Sequence, residues 1–443
     1  MATVTVDQQR LVLNAFAAIF QNNLVSKDLV TWRKFNDEMN DRNGLTVVEQ
    51  VTPDYTTTFT TNGVADLSGG VQNTTFGSEQ YKLDQTIGSS MGWGDFVKIR
   101  DIGAARESQA LRKAALRLAT DIDAYILKFA ALQSNNWLGN GDLAVSYFDD
   151  IASGYTRLKE EGVDDDGNLR AVLTYGDKQA LGSDVVVPTN AALEEMAVGT
   201  FRNGFDGMVA GVPTLFTQQL PEMVTGSRTD GATNYPTGDP TNTYESVAIS
   251  AAPGQYMTAT IAIDGVGTSG TVKEGETFTI AGVYAYDNRA KKTLSHLQEF
   301  RVVGGTGADG MNGGTYTATA GAIAALRYYP AIITSGPYRN VTNTNGGGAT
   351  WDGLVVDFKG AASTTLHPRF LANKDSIIVN TADLIMPATG IGSRKALTKV
   401  PLSVRMWQDS VFATGEHRVR FDVAIKCNVA ADGRRRLVRI NGS

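Results

Sequence analysis

The strongest pattern in the chain lies between residues 103 and 133, where Leu111, Ala115, Leu118, Ile122, Tyr125, Phe129 and Leu132 recur every three or four positions. Arg106, Arg112, Lys113, Arg117, Asp121 and Lys128 mostly fill the other faces, and no proline or glycine follows Gly103. The spacing predicts one uninterrupted helix, about 45 Å long at 1.5 Å per residue. Residues 7–22 predict a shorter helix with a broad apolar side made by Leu11, Ala15, Ala18, Phe16, Ile19 and Phe20. A further helix is expected at about 143–161, stopped by Gly162 after Lys159, Glu160 and Glu161. GDKQALGSD (176–184) and NAALEEMAVGTF (190–201) read as two short helices.

Alternation takes over elsewhere. LTVVEQV (45–51) and LRAVLTY (169–175) read as strands. In RVRFDVAIKCNV (418–429), Val419, Phe421, Val423, Ile425, Cys427 and Val429 share one face, and Arg418, Arg420, Asp422, Lys426 and Asn428 the other. The AADG turn after it is expected to close a hairpin onto RRRLVRI. Residues 55–85 are rich in Thr and Gly with few large apolar side chains, so they predict a long hairpin or loop without a core of its own. A lone hairpin buries too little to offset its ordering entropy, so a neighbouring copy is expected to support it. From 223 to 349 helix signals fade, and YESVAIS, YMTATIAID, ETFTIAGV, EFRVV, TYTAT and LRYYPAII predict a small all-β barrel inserted into an α+β host.

Composition narrows the function classes. The 443 residues are 42% apolar and 19% charged, ordinary for a folded chain, and 47 glycines against 12 prolines suit many turns between short strands. Forty basic and 46 acidic residues give a net charge of −6, so no global positive excess exists for binding polyanions. The single cysteine, Cys427, can form neither an intrachain disulfide nor a thiolate metal site, which fits a reducing cytoplasm. The first twenty residues carry Asp7 and Arg10 before a short apolar run, too short to span a bilayer, so neither secretion nor a membrane is expected.

Candidate chemistry is thin. Gly265, Gly267 and Gly270 match dinucleotide-loop spacing, but TVKEGETFTI follows as a strand where a helix N-terminus is required, so a turn is expected. Asp164, Asp165, Asp166, Gly167 and Asn168 lack the twelfth-position acid of a calcium loop, because Tyr175 or Gly176 stands there. His296, His367 and His417 show no ligand spacing. Cys427 on an apolar strand face reads as packing. Glu160/Glu161 and Glu194/Glu195 are neighbours on helices, diverging by about 100°, and suit solvent better than acid–base work. Arg434, Arg435, Arg436 and Arg439 form the densest basic run. That run could face DNA, bridge to a neighbouring subunit, or line a solvated strand face, and Arg106, Arg112, Lys113 and Arg117 pose the same choice. No catalytic, cofactor-binding or metal-ligating residue is expected, and the chain reads as a non-enzyme.

The order of parts adds a resemblance. VVEQVTP (47–53), DFVKIRDIGAARESQALRKAALRLATDID (95–123), KEGETFTIAGV (273–283) and FATGEHRVRFDVAIKCNVAADGRRRLVRI (412–440) occur in the order found in HK97-like coat proteins of tailed phages. The chain most resembles the short-tailed-phage type that carries an inserted β-barrel, the I-domain, from about Leu11 to Ile440. The resemblance implies an N-arm (1–44), a P-domain strand and E-loop (45–95), a spine helix (96–134) and a P-domain (135–200). It then implies a first A-domain part (201–222), the I-domain (223–349), a second A-domain part (350–400) and closing strands (401–443). Segment 224–243 departs from the barrel pattern in being richer in Gly, Thr and Pro.

The implied function is a major capsid protein that forms hexamers and pentamers in an icosahedral virion shell around packaged double-stranded DNA, assembled in the bacterial host cytoplasm. Implied partners are other copies, a scaffolding protein, a portal and weak sequence-blind contact with DNA, with no membrane, and the resemblance leaves a decoration protein open. Some relatives of this fold crosslink a loop lysine to an asparagine. Lys82 is the only lysine of the 55–85 loop, and the inserted-barrel branch is not known for crosslinking, so a surface lysine is expected. An encapsulin-type nanocompartment shell is the alternative of the same fold. A β-rich carbohydrate-binding or hydrolytic protein is the alternative of another class, but it has no need of a lone long helix beside an unsupported loop.

Overall fold

The computed structural model describes residues 6–39, 45–51, 77–92, 109–139, 148–163, 167–185, 208–209, 211–249, 251, 255–288, 290–308, 310–336, 338–386, 391–410, 417–430 and 436–440. The expected helix at 190–201, the Asp164–Asp166 cluster, most of the 55–85 loop, Arg106, Arg434 and Arg435 lie outside the described residues.

The described elements begin with helix α1 (Val6–Asn23) and strands β1 (Thr31–Met39), β2 (Leu45–Val51), β3 (Gly77–Leu83) and β4 (Thr86–Gly92). Helix α2 (Gln109–Gln133), β5 (Asn136–Leu138), α3 (Phe148–Glu160), β6 (Leu169–Leu173) and α4 (Tyr175–Val185) follow. Next come β7 (Met208–Val209), β8 (Val212–Phe216), β9 (Met223–Val224), β10 (Gly231–Thr233), β11 (Ala259–Asp264), β12 (Thr271–Lys273) and β13 (Thr277–Asp287). Strands β14 (Lys292–Val302), β15 (Thr315–Thr317), β16 (Ile323–Tyr329), β17 (Val341–Asn343), β18 (Val355–Phe358) and β19 (Thr365–Leu366) continue the series. The last are β20 (Arg369–Asn373), β21 (Ile377–Leu384), β22 (Ile391–Ala396), β23 (Ser403–Ser410), β24 (His417–Val429) and β25 (Leu437–Ile440). The chain divides into two compact units, one of residues 1–47, 81–127 and 374–430, the other of 48–80, 128–373 and 431–443.

The first unit is built on a six-stranded sheet ordered β1-β21-β24-β23-β22, with β4 also on β24. Strand β24 is long enough to take β4 along one edge, from Gly92 opposite Arg418 to Thr86 opposite Ala424. Strands β23 and β21 share its other edge, pairing with 417–422 and 424–429. The alternation read from the sequence holds for the apolar face, where Val419, Phe421, Val423, Ile425, Cys427 and Val429 are buried. Asp422 and Asn428 on the opposite face are buried as well, so β24 is a central strand covered on both sides at those points. Helix α1 lies on the apolar face, with Phe16 stacked on Phe421 at 3.9 Å between ring centroids. Its buried stripe is Val12, Leu13, Phe16, Ala17 and Phe20. Leu11, 40% exposed, and exposed Ala18 fall outside it, a rotation from the expected face.

Two expectations are corrected here. The strand after the AADG turn does not close a hairpin on β24. Both edges of β24 are taken, and β25 pairs with β20 and β5 in another sheet, where all four of its residues are buried. Nor does the whole 55–85 segment lack internal support. Leu83, near its end, is fully buried with Ala382, Leu384 and Ala424.

In the second unit a six-stranded sheet runs β5-β25-β20-β6-β8-β7. Helix α3 covers it through Ile151 and Leu158, packed among Leu169, Ala171, Leu173, Leu371, Val438 and Ile440. Gly154 of α3 faces Leu371 so closely that an added Cβ would sit 3.3 Å from both of its methyl carbons. Helix α4 starts one residue before the expected GDKQALGSD, because Thr174 and Asp177 form a reciprocal cap. Thr174 N–H donates to Asp177 Oδ2 at 2.8 Å and Asp177 N–H to Thr174 Oγ1 at 3.1 Å.

The same unit carries a closed barrel of six strands, β14-β16-β11-β10-β18-β13, shut by pairing of β13 with β14, with β17 added on β13. Phe278, Phe300, Tyr328 and Phe358 fill its centre in stacked, tilted and edge-on ring pairs. The sixth strand, β18, lies past residue 349, where the sequence pattern ended the insertion. Segment 224–243 supplies β10, and Tyr235 packs on the barrel core while its hydroxyl accepts the Ala262 N–H at 3.2 Å. Glycine stands at 231 because the chain there passes so close to the Asp264 carbonyl that no side chain fits. The DGVGTSG segment joins β11 to β12 with Gly265 and Gly267 at positive φ, the expected turn.

Candidate functional site

Charged side chains gather inside the second unit where the barrel meets the α/β sheet. Glu299 lies in QEFRV (298–302), the last five residues of β14, whose alternation points it out of the barrel while Phe300 points in. Its carboxylate meets Arg157 of α3 at 3.2 Å and accepts the backbone N–H of Trp137 in β5 at 2.7 Å. Arg439 of β25 lies 4.2 Å from the Trp137 ring centroid. Its Nη2 donates to Ser134 O (3.2 Å), Gly275 O (3.0 Å) and Thr277 Oγ1 (3.0 Å), and its Nη1 to Met223 Sδ (2.8 Å). Beneath them Glu276 pairs with Arg228 at 3.2 Å and accepts the N–H groups of Gly226 (3.0 Å) and Lys273 (2.7 Å). Glu299, Glu276 and Arg439 are essentially without solvent contact.

Burial dominates the electrostatics. It raises the carboxyl pKa of Glu299 against the opposing pull of Arg157, and that of Glu276 against Arg228. It lowers Arg439 to about 9, with Glu299 and Glu276 pulling the other way. A cluster of this kind fixes one orientation of barrel on sheet, because removing any member strands its partners in a medium that cannot solvate them.

The residues singled out from the sequence are placed as follows. Arg439 is no member of an exposed basic run: β25 carries it under the barrel, and Arg436 is half-buried. Glu160 and Glu161 do not simply face solvent. Glu161 accepts Asn136 Nδ2 at 2.7 Å, and the two carboxylates lie 3.4 and 4.0 Å from the ring nitrogens of His296. Burial and nearby Arg157 nonetheless lower the His296 pKa to about 4, so the ring is neutral at pH 7. The backbone carbonyl of His367 accepts from Arg369, and His417 opens β24 opposite Ser410. Cys427 is buried, and burial pushes its thiol pKa up. On α2, Arg112 and Lys113 are exposed and Arg117 pairs with Asp121 at 3.0 Å one turn on. Lys82 is exposed on β3. Among the described residues no group of three or more His, Cys, Asp and Glu is arranged to hold a metal, and no helix is long and apolar enough to cross a membrane.

Two further carboxylates, not flagged by any motif, organise the first unit. Asp123, buried on α2, accepts the N–H groups of Val25 and Ser26, both at 2.9 Å, and so caps the turn that follows α1. Burial raises its pKa above the usual value in spite of those bonds. Asp422 on β24 bridges Arg405 (2.9 Å) and Arg420, and lies across Gly88 of β4, where a Cβ would collide with it. The arrangement does mechanical work: it fixes an arm turn, an added strand and an inserted barrel.

Comparison with known proteins fits that reading. The chain matches the family described as P22 coat protein, gene protein 5, over residues 1–431. No curated protein sequence matches it. Among solved structures it is similar to one from Mycobacterium phage Che8, with 12% identity, 90% of this chain and 86% of that one covered, and a TM-score of 0.40. It is similar to the bacteriophage PhiM1 mature capsid at 8% identity, 94% and 86% coverage and a TM-score of 0.41. For the capsid of Ralstonia phage GP4 the values are 8%, 96%, 90% and 0.39. The chain belongs to the P22 coat protein family, and with its long helix, strand-built body and inserted barrel it is an α+β, HK97-like major capsid protein of a tailed bacteriophage.

Proposed function

We propose that this capsid protein self-assembles as hexamers and pentamers into an icosahedral shell around packaged double-stranded DNA, and that it catalyses nothing. One observation carries the reading: the family match, over residues 1–431, spans the first compact unit, most of the second and the whole inserted barrel. Residues 1–44 act as the N-arm, 45–95 as P-domain strand and E-loop, 96–134 as the spine, and the barrel as an I-domain that braces the subunit and reaches toward neighbouring capsomers. Many modest contacts per subunit add up to a shell while each stays weak enough to correct errors during growth.

Assembly takes place in the host cytoplasm with a scaffolding protein and a portal. Contact with DNA is weak and sequence-blind, since a chain of net charge −6 offers only local basic surface such as Arg112 and Lys113. An encapsulin-type shell is disfavoured by the inserted barrel and by the family match. Negative-stain microscopy of the purified chain tests the proposal. Closed shells built of rings are expected, and monodisperse small particles under every assembly condition would overturn it.

A further inference from the structure

The buried cluster around Glu299 and Arg439 has a cover. Residues 304–314, GGTGADGMNGG, hold six glycines and are described apart from residue 309. Gly305, Gly307, Gly310 and Asn312 all take positive φ, so the backbone path is one that ordinary side chains oppose. A bridge between Thr306 and Thr315 closes its base, and the glycine-rich remainder needs further anchoring to hold one path.

Glu274 supplies it. This carboxylate, 4% exposed, accepts the N–H groups of Gly304 (3.2 Å), Gly310 (3.1 Å) and Gly314 (3.3 Å), gathering both ends of the loop onto one side chain. Asn312 holds the tip. Its amide exchanges two bonds with the Val224 backbone, at 3.0 and 3.1 Å, and gives a third to Glu274 O at 2.9 Å. Gln133, at the end of α2, donates to Gly310 O at 3.1 Å. Met311 then packs with Leu132, Trp137, Met223 and Leu366, over the residues that enclose the Arg439 guanidinium.

We propose that residues 304–314 are a strap that shuts water out of the buried charge cluster, that Glu274 is its catch, and that opening the strap frees the barrel to turn against the sheet carrying β25. Opening costs polar bonds and one methionine contact. It returns the desolvation cost of Glu299, Arg439 and Arg157, since charges regaining water recover what burial took from them. The two states are therefore closer in energy than loss of the same area from an apolar seam would make them. The inference concerns one subunit and does not depend on how copies assemble.

Hydrogen exchange of the full-length chain, read by mass spectrometry, tests it with Glu274→Gln, which keeps the volume and removes the charge. Exchange across 304–314 is expected to quicken at least tenfold, on the order of one lost charge-assisted bond. The Trp137 amide, which donates to Glu299, and the amides of 437–440 should quicken with it, while Ile261 and Leu326 in the barrel core stay protected. Asn312→Ala, which releases the tip alone, should give the same pattern and serves if Glu274→Gln does not fold. A strap that exchanges unchanged, a strap that opens without exposing Trp137 and 437–440, or a uniform loss of protection through the barrel core each overturns the proposal.

Discussion

Arg436 and Arg439 stand three residues apart in one basic run, yet replacing them should have very different consequences. Arg439→Met keeps an unbranched apolar stem beside Trp137 and removes the guanidinium. Ser134 O, Gly275 O and Thr277 Oγ1 then lose a donor in a buried site, and Glu299 and Glu276 lose their nearby positive field. Hydrogen bonds to a charged group are worth about 1.5–3 kcal/mol each but do not add in a shared network, so the expected loss is about 3–5 kcal/mol. Arg436→Met, at a half-buried position, should cost less than about 0.5 kcal/mol. Urea unfolding of the two variants beside the parent, followed by the summed fluorescence of the five tryptophans, measures both numbers. A loss below about 1 kcal/mol for Arg439→Met, or equal losses for both variants, would refute the claim that β25 pins the barrel through a buried cation.

Other substitutions probe the remaining points. Gly88→Val should drive Asp422 away from Arg405 and cost about 2–3 kcal/mol by leaving a buried carboxylate short of a partner, whereas exposed Ser90→Val on the same strand should change the urea midpoint little. Asp123→Ala frees two backbone N–H groups after α1 and should cost about 2 kcal/mol, with limited proteolysis showing earlier cleavage near residues 23–30. For His296 the folded pKa, about 4, lies below the ordinary 6.5, so the unfolded chain binds the extra proton between those values. Stability contributed by the neutral ring is therefore complete above pH 6.5 and is lost as pH falls toward 4. His296→Gln should flatten the midpoint-versus-pH curve over that window, and an unchanged slope would count against the assignment.

Local periodicity made much of this fold readable. The 3.6-residue period of α2, the two-residue period of β24 and the strand runs of the barrel each report one face turned to a core, a property of neighbouring residues alone. The face of α1 was displaced because its apolar residues nearly encircle the helix, and the choice among them is made by Phe421, some four hundred positions away. The fate of RRRLVRI was hidden for a related reason. Nothing in those seven residues records that both edges of β24 are occupied. Arg439 reads like the other arginines of its run until β20 and β5 are placed around it. The apolar Leu437, Val438 and Ile440 on either side were the available hint. Glu299 carried no motif at all, since its partners Arg157 and Trp137 lie in separate elements of the α/β sheet. Buried charge clusters are products of topology, and a single chain's alternation marks only that Glu299 points out of the barrel.

The claim that this chain is a shell-forming subunit is met most directly by a cryo-electron microscopy reconstruction of particles assembled from it. The account predicts closed icosahedral shells in which the same subunit occupies sixfold and fivefold rings, each copy keeping its barrel seated through Arg157, Glu299 and Trp137. Open sheets or small oligomers alone, with no closed shell at any concentration or with any assembly partner, would contradict it.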